Sequence, residues 1–251
     1  LNQLQYIFTA QTMPERLQNP VAEPCSVLCA TNNALQYQNN LAVSPDLLQE
    51  NTPHQLLALY QAPNIAVALA EGIKHCQHTW IVLAHQDVYL PQGWLADVQH
   101  AWHMAEQKLG RAIGVAGVAG MVQNAAGDFD FAGCAMDRIY TFLHSADQLP
   151  AQAHSLDELV LVYRRDRFIP ELNPELGFHY YATDSVFKAE AAGFIGAILP
   201  VPCLHNTSRY DTTDNDADVQ QKSQIFRQIW QHRLPIRTTI ALMTHDGIQL
   251  N

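Results

Sequence analysis

The sequence predicts an α/β sandwich, with helices packed on a mostly parallel central sheet. Two observations carry that expectation. Short apolar runs rich in β-branched residues alternate along the chain with segments of helical period, the pattern of repeated strand–helix units. The runs end abruptly in polar groups: Asn32 and Asn33 after CSVLCAT, His85 and Asp87 after WIVLA, and His205 after VPCL. Open α/β sheets bind ligands beyond the carboxyl ends of their strands, so these polar tips point to one crevice.

In chain order, residues 1–22 read as an N-terminal arm and residues 23–251 as a single domain. CSVLCATNN (25–33) is a buried first strand. NTPHQLLALYQAP predicts a helix, with Thr52 as N-cap and Pro53 at the first helical position. NIAVALAEGIKHCQ predicts another, capped by Asn64, with Ile65, Leu69 and Ile73 on one face. Trp80–Ala84 is a strand, and WLADVQHAWHMAEQKLG a helix closed by Gly110. AIGVAGVAGMV (112–122) is a buried strand. Its glycines are spaced GxxGxxG and follow a helix, which favours close strand packing over a dinucleotide loop. LDELVLVYRRD (156–166) and FIGAILPVPCLH (194–205) are strand-like and flank a helix at 181–193. A last amphipathic helix covers 216–232, after an acidic loop at 206–219.

The composition narrows the function. With 251 residues, 48% hydrophobic and 15% charged, the chain needs no metal or disulfide to fold. A formal net charge of -10 argues against nucleic acid as a partner, and obliges any phosphate site to supply its own cation. Cys25, Cys29, Cys76, Cys134 and Cys203 are scattered and form no CxxC pair, which suits a reducing cytoplasm. No apolar run reaches the roughly 20 residues of a membrane span. The polar start LNQLQYIFTAQ does not read as a signal peptide.

The order of motifs carries more. VYRRDRF, ELGFHYYATDSVFKAEAAGF and VPCLH follow SVLCATNN, APNIAVALAEGI and VLAHQDVYLPQGW. Across about residues 25–209 this order resembles the family-2 glycosyltransferases of the GT-A (nucleotide-diphospho-sugar transferase-like) fold, a three-layer sandwich. The wording HQDVYLP with FHYY..D is closest to a branch found in bacterial antibiotic-sugar and polysaccharide clusters. The resemblance implies a nucleotide-sugar donor, an acceptor hydroxyl, a divalent metal (Mn2+ or Mg2+) and inversion at the anomeric carbon.

The resemblance also assigns roles. Asp87 falls on the second acidic position of the family's metal motif and His205 on its C-terminal histidine, which makes them the expected metal pair. His85 stands where the family places the first acid, and is expected at the donor's ribose or phosphate. Asp184 matches the catalytic base, although its usual acidic neighbours are Thr183 and Val186 here; taken alone, Asp184 is equally a helix N-cap. His179 is expected on the acceptor side. Asn32 and Asn33 are expected at the nucleotide. The adjacent Arg164 and Arg165 read either as a solvated strand end or as a phosphate contact, with Arg165 the donor-binding candidate. The loop at 206–219 lies where GT-A enzymes carry a lid.

Weaker signals stay structural. His100 and His103 share a helix face without a further ligand. DNDADV lacks the Gly and Glu of a calcium loop, with Val219 and Ile225 in their places. Asp46 lies where the family reads the nucleobase, without a firm alignment. Two rival classes remain: a catalytically silent nucleotide-sugar-binding module, and a nucleotidyltransferase on a related sheet.

Overall fold

A computed structural model describes residues 22–137, 142–144, 148–206 and 216–250. The expected N-terminal arm and most of the 206–219 loop lie outside the described residues.

The central sheet has seven strands. In chain order they are β1 (Cys25–Thr31), β2 (Gln55–Tyr60), β3 (Trp80–Ala84), β5 (Ile113–Gly117), β9 (Ala151–Gln152), β11 (Val160–Arg164) and β12 (Ile195–Ile198), arranged β2-β1-β3-β11-β5-β12-β9. β1 runs parallel to β2 and β3, and β5 parallel to β12; β11 lies antiparallel between β3 and β5, and β9 antiparallel on the edge. The sheet is therefore mostly parallel, as expected, with one reversed strand at its centre.

Helices cover both faces, because side chains alternate along each strand. Trp80, Val82 and Ala84 of β3 pack on one side with Trp94, Val98 and Trp102 of the helix Trp94–Leu109. Ile81 and Leu83 face the other side, with Leu69 of Ile65–His75 and Val186 of Tyr181–Ala191. In chain order the helices are α1 (Ala34–Asn39), α2 (Pro45–Leu48), α3 (Ile65–His75), α4 (Trp94–Leu109), α5 (Tyr181–Ala191) and α6 (Asp216–Ile229). Asn64 caps α3, its side chain accepting from the Val67 N–H at 2.9 Å. α4 ends at Gly110, whose φ of 65° suits glycine.

A second sheet lies beside the first: β10 (Ser155–Leu156), β6 (Ala119–Gln123), β7 (Phe129–Asp137), β13 (Cys203–His205) and β4 (Val88–Tyr89), with β8 (Phe142–His144) paired to β7. Two expected strands thus divide between sheets. Residues 112–122 split into β5 and β6. Residues 194–205 split into β12 and β13 across Pro200 and Pro202, which lack the N–H a ladder needs. The glycines serve packing: a Cβ on Gly120 would stand 2.1 Å from the Ser155 carbonyl oxygen. A small C-terminal sheet, β14 (Ile236–Arg237), β15 (Ala241–Met243) and β16 (Ile248–Leu250), completes the described chain.

The helix expected from Thr52 is strand β2. Thr52 Oγ1 donates to the Asp46 carbonyl at 2.7 Å and accepts from the His54 N–H at 3.2 Å, which makes a turn instead of a helix start. QLLALY then pairs along the whole of β1, from Ser26↔Gln55 to Thr31↔Tyr60. Six ladder partners outweigh the helical preference of a Leu- and Ala-rich segment.

Candidate functional site

The connection after β1 packs on the α4 side of the sheet through Tyr37 and Leu41, whereas α3, after β2, packs on the other side. Connections that leave adjacent strands toward opposite faces open a crevice beyond their carboxyl ends. A cavity of about 590 Å³ lies there, within the usual size for small-molecule sites. It is lined by residues 30–32 at the end of β1, Gln61 and Ala62 after β2, and residues 83–87 at the end of β3; Ile65, Glu158, Phe178, His179, Tyr181, Asp218, Val219 and Ile240 complete the wall. A larger cleft of about 700 Å³ runs along α6 and His245–Ile248. Glutamines dominate it, its Arg227 is engaged by the Thr244 and His245 carbonyls, and His245 is the one other titratable side chain among its lining residues.

The densest chemistry in the crevice is His85, Asp87 and His205, whose ligand atoms lie within 4.8 Å of one another. The fold explains the meeting. Asp87 precedes β4, which pairs antiparallel with β13 so that His205 stands opposite Val88. The Asn206 N–H then donates to the Asp87 carbonyl at 2.8 Å. His205 Nε2 is 3.5 Å from Asp87 Oδ2, and His85 Nδ1 is 4.0 Å from Oδ1. Desolvation works to raise the Asp87 pKa, but the hydrogen bond from His205 and the charges of both histidines outweigh it and hold the carboxyl below its usual range. Desolvation lowers His85, and Asp87 partly opposes this, so its ring stays neutral to lower pH than an exposed histidine.

The cluster suits a divalent cation. Asp87 Oδ1 is buried and without a hydrogen-bond partner among the described residues, a costly state for a carboxylate oxygen unless something else satisfies it. One carboxylate with two neutral imidazoles is a donor set for Mn2+ more than for Mg2+.

Other expected residues scatter. Asn32 lines the cavity and accepts from Gln86 Nε2 at 3.0 Å, whereas Asn33 caps α1 by accepting from the Gln36 N–H at 3.1 Å. His179 lines the cavity and pairs with Asp218 at 3.2 Å; desolvation lowers its pKa, with Asp218 opposing. Asp46 caps α4, accepting from the Gly93 and Leu95 N–H groups at 2.7 and 3.2 Å.

Two of the expected site residues lie away from the crevice. Arg165 does not reach the crevice: it donates to the Ile73 and Cys76 carbonyls at the C-terminus of α3. The cause is the direction of β11, which pairs Arg164 with Trp80 at the start of β3 and Val160 with Ala84 at its end. Asp184 does not face the crevice either. Its side chain is fully buried, Oδ1 accepts from Trp230 Nε1 at 3.0 Å, and Lys188 Nζ lies 2.8 Å from Oδ2 as an ion pair outside hydrogen-bond angles. It joins α5 to the C-terminal segment.

The same reversal of β11 brings in residues that a search after strand ends misses. Glu158, just before β11, enters the crevice wall. Tyr181 OH donates to the Glu158 carbonyl at 3.0 Å and lies 3.1 Å from His85 Nε2. Gln86 ties the tips of β1 and β3, its Oε1 accepting from Thr31 Oγ1 at 2.6 Å and from the Asn32 and Asn33 N–H groups. Gln36 Nε2 donates to Asp87 Oδ2 at 3.2 Å.

Comparison with known proteins bears on the fold. No family model matches the sequence, and no curated protein does. Among solved structures, GalNAc-T7 with UDP, GalNAc and Mn2+ matches at a TM-score of 0.53 and 9% identity, over 84% of this chain and 49% of that one. The chain thus spans about half the length of that structure. Mannosyltransferase PcManGT from Pyrobaculum calidifontis, in complex with GDP-Man and Mn2+, gives a TM-score of 0.48 and 15% identity over 90% of this chain and 68% of its own. S. aureus TarS 1-349 gives 0.41 and 10%, over 84% and 74%. The first of these likenesses supports the GT-A fold for this chain.

Proposed function

We propose that the protein is a metal-assisted glycosyltransferase that moves a sugar from a nucleotide-sugar donor to an acceptor hydroxyl by an inverting single displacement. The observation that carries this reading is the His85–Asp87–His205 cluster beyond the carboxyl end of β3, in a cavity of GT-A architecture. Asp87 and His205 would hold the cation, with His85 beside them. A divalent cation supplies a Lewis acid for the departing diphosphate, and such stabilisation is worth several kcal/mol.

The chain's own residues do the positioning. Thr31, Asn32 and Gln86 form a hydrogen-bonded shelf at the tips of β1 and β3, rigid enough to orient a nucleotide before any rearrangement. Phe178, 44% exposed on the cavity wall, offers an apolar face on the side of His179, where the acceptor would lie. Among the described residues no helix is long and apolar enough to cross a membrane.

Calorimetric titration of UDP and GDP, with and without Mn2+, tests the reading. Either nucleotide should bind more tightly with Mn2+, and Asp87→Ala should abolish the difference. Binding indifferent to Mn2+ and to that substitution would refute the metal site. Mn2+-dependent binding without turnover of any nucleotide sugar would leave a silent binding module.

A further inference from the structure

Asp184 is walled off from the crevice, so a displacement there needs another group to take the acceptor's proton. We propose that Glu158 is the catalytic base of the transfer reaction. The proposal rests on the glycosyltransferase reading and assigns it a proton acceptor.

Glu158 is placed by construction. It stands on the link between β10 and β11, and the antiparallel register of β11 against β3 delivers it to the level of His85. Its backbone is fixed on both sides. The Glu158 carbonyl accepts from Tyr181 OH, and the next carbonyl, of Leu159, accepts from the His85 N–H at 3.0 Å. Asp157 is held by Thr239 Oγ1 at 2.8 Å and by the Leu159 N–H at 3.1 Å. The backbone that carries the Glu158 carboxyl is thus tied to the strand tip that carries His85, which fixes where the group enters the crevice.

The environment suits a base. Burial raises the Glu158 pKa to about 8, with the Asp157 charge adding to the effect, while the N–H groups of Glu158, Tyr180 and Ala182 partly counter it. A proton acceptor works best when its pKa lies near the operating pH. Tyr180 contributes through its conformation: with φ 59° it is one of two non-glycine residues in the left-handed region among the described residues, and the other, Gln61, borders the cavity. Such a conformation persists where packing over-determines it. Here the Tyr180 ring stacks on Phe226 at 5.2 Å and its hydroxyl lies 2.5 Å from Ser223 Oγ.

In the proposed step the acceptor hydroxyl oxygen bonds to the anomeric carbon as its proton passes to Glu158. The bond from that carbon to the diphosphate oxygen breaks, and its electron pair leaves with the nucleoside diphosphate. The titratable groups that face Glu158 are Asp157 on its own link and Tyr180 and Tyr181 at the start of α5; His85 and Asp87 after β3, His179 before α5 and Asp218 on α6 share its cavity wall.

Glu158→Gln separates a base from a helix cap. Glutamine keeps an acceptor oxygen for the N–H groups of Tyr180 and Ala182 but cannot take up a proton at neutral pH. A structural role therefore predicts transfer within about threefold of the parent. The base role predicts a loss of about 10²–10⁴-fold in kcat, with Mn2+-dependent UDP or GDP affinity within threefold of the parent. The assay is nucleoside diphosphate release from a panel of UDP- and GDP-sugars with saccharide acceptors. Asp184→Asn should transfer within tenfold of the parent when normalised to folded protein. Transfer by Glu158→Gln at parental rate overturns the proposal and leaves the glycosyltransferase reading intact. A parent that releases no diphosphate from any donor overturns both.

A second measurement does not need turnover. Because the folded pKa of Glu158 lies above the ordinary carboxylate value, its ionisation opposes folding. The parent's Tm should fall relative to that of Glu158→Gln as pH rises from about 4.5 to 8. Parallel Tm curves over that window would show that the Glu158 carboxyl is solvated like an exposed acid instead of held in the crevice wall, and would overturn its placement.

Discussion

β11 presents two polar ends to two different environments. At its start, Glu158 and the Leu159 carbonyl meet His85 and Tyr181 in the crevice. At its finish, Arg164 pairs with Asp166 at 2.8 Å and stacks over Trp80, while Arg165 closes the C-terminus of α3. Five residues at about 3.3 Å each put some 17 Å between the ends. In an all-parallel sheet the arginines would have faced the ligand. One reversed strand gives that place to a glutamate, and leaves the arginines to hold the fold.

The contrast breaks most sharply at the crevice end. His205→Ala should weaken Mn2+ binding by roughly 100-fold or more, since losing even a supporting partner of a metal ligand costs 10–100-fold. His205 is partly exposed, so the fold should tolerate the change, and the Tm without metal should move by less than a few degrees. Mn2+ affinity unchanged in this variant would mean that His205 merely hydrogen-bonds Asp87.

Asp184 comes next and belongs, by effect, to the other region. Asp184→Ala removes the acceptor of Trp230 Nε1 and the partner of Lys188, and leaves a small cavity. The expected cost is about 1–3 kcal/mol in denaturant midpoint, the range for an orphaned buried hydrogen-bonding group. Lys188 is 28% exposed and can turn toward water, which keeps the cost below that of a broken, fully buried ion pair. A variant with parental stability and no transfer activity would reverse the assignment and return Asp184 to the chemistry.

How far the sequence foretold this site follows from strand direction. Apolar runs with polar tips located β1, β3 and β13, and with them Asn32, His85, Asp87 and His205. Those signals are local; the parallel strands β1 and β3 bring their tips together, and the antiparallel pairing of β13 with β4 brings in His205. Direction itself is a tertiary property: nothing in LDELVLVYRRD says whether the strand runs up or down, so the motif order points Arg165, not Glu158, at the crevice. β2 departs from its expected helix for a related reason. QLLALY has the composition of a helix, and only its ladder with β1 makes it a strand. Asp184 shows the reverse case, in which an acid at a motif position is a buried tie to Trp230. A signal for Glu158 did exist. It is the acid immediately before the most apolar part of its segment, and an acid there is expensive to bury unless the fold uses it.

The smallest effect is expected where the contrast is most instructive. Arg165→Ala removes two bonds from an exposed guanidinium to the Ile73 and Cys76 carbonyls, at 2.8 and 2.7 Å. Water can replace such bonds, so the loss should be about 1 kcal/mol, most of it from the favourable placement of a cation at the C-terminus of α3. Added salt should shrink the difference from the parent, because an interaction at the surface is screened. UDP and GDP affinity should stay within twofold of the parent, since the guanidinium is anchored at the far end of the strand. A tenfold loss of nucleotide affinity with unchanged stability would place Arg165 at a phosphate, and would require β11 to run parallel to β3.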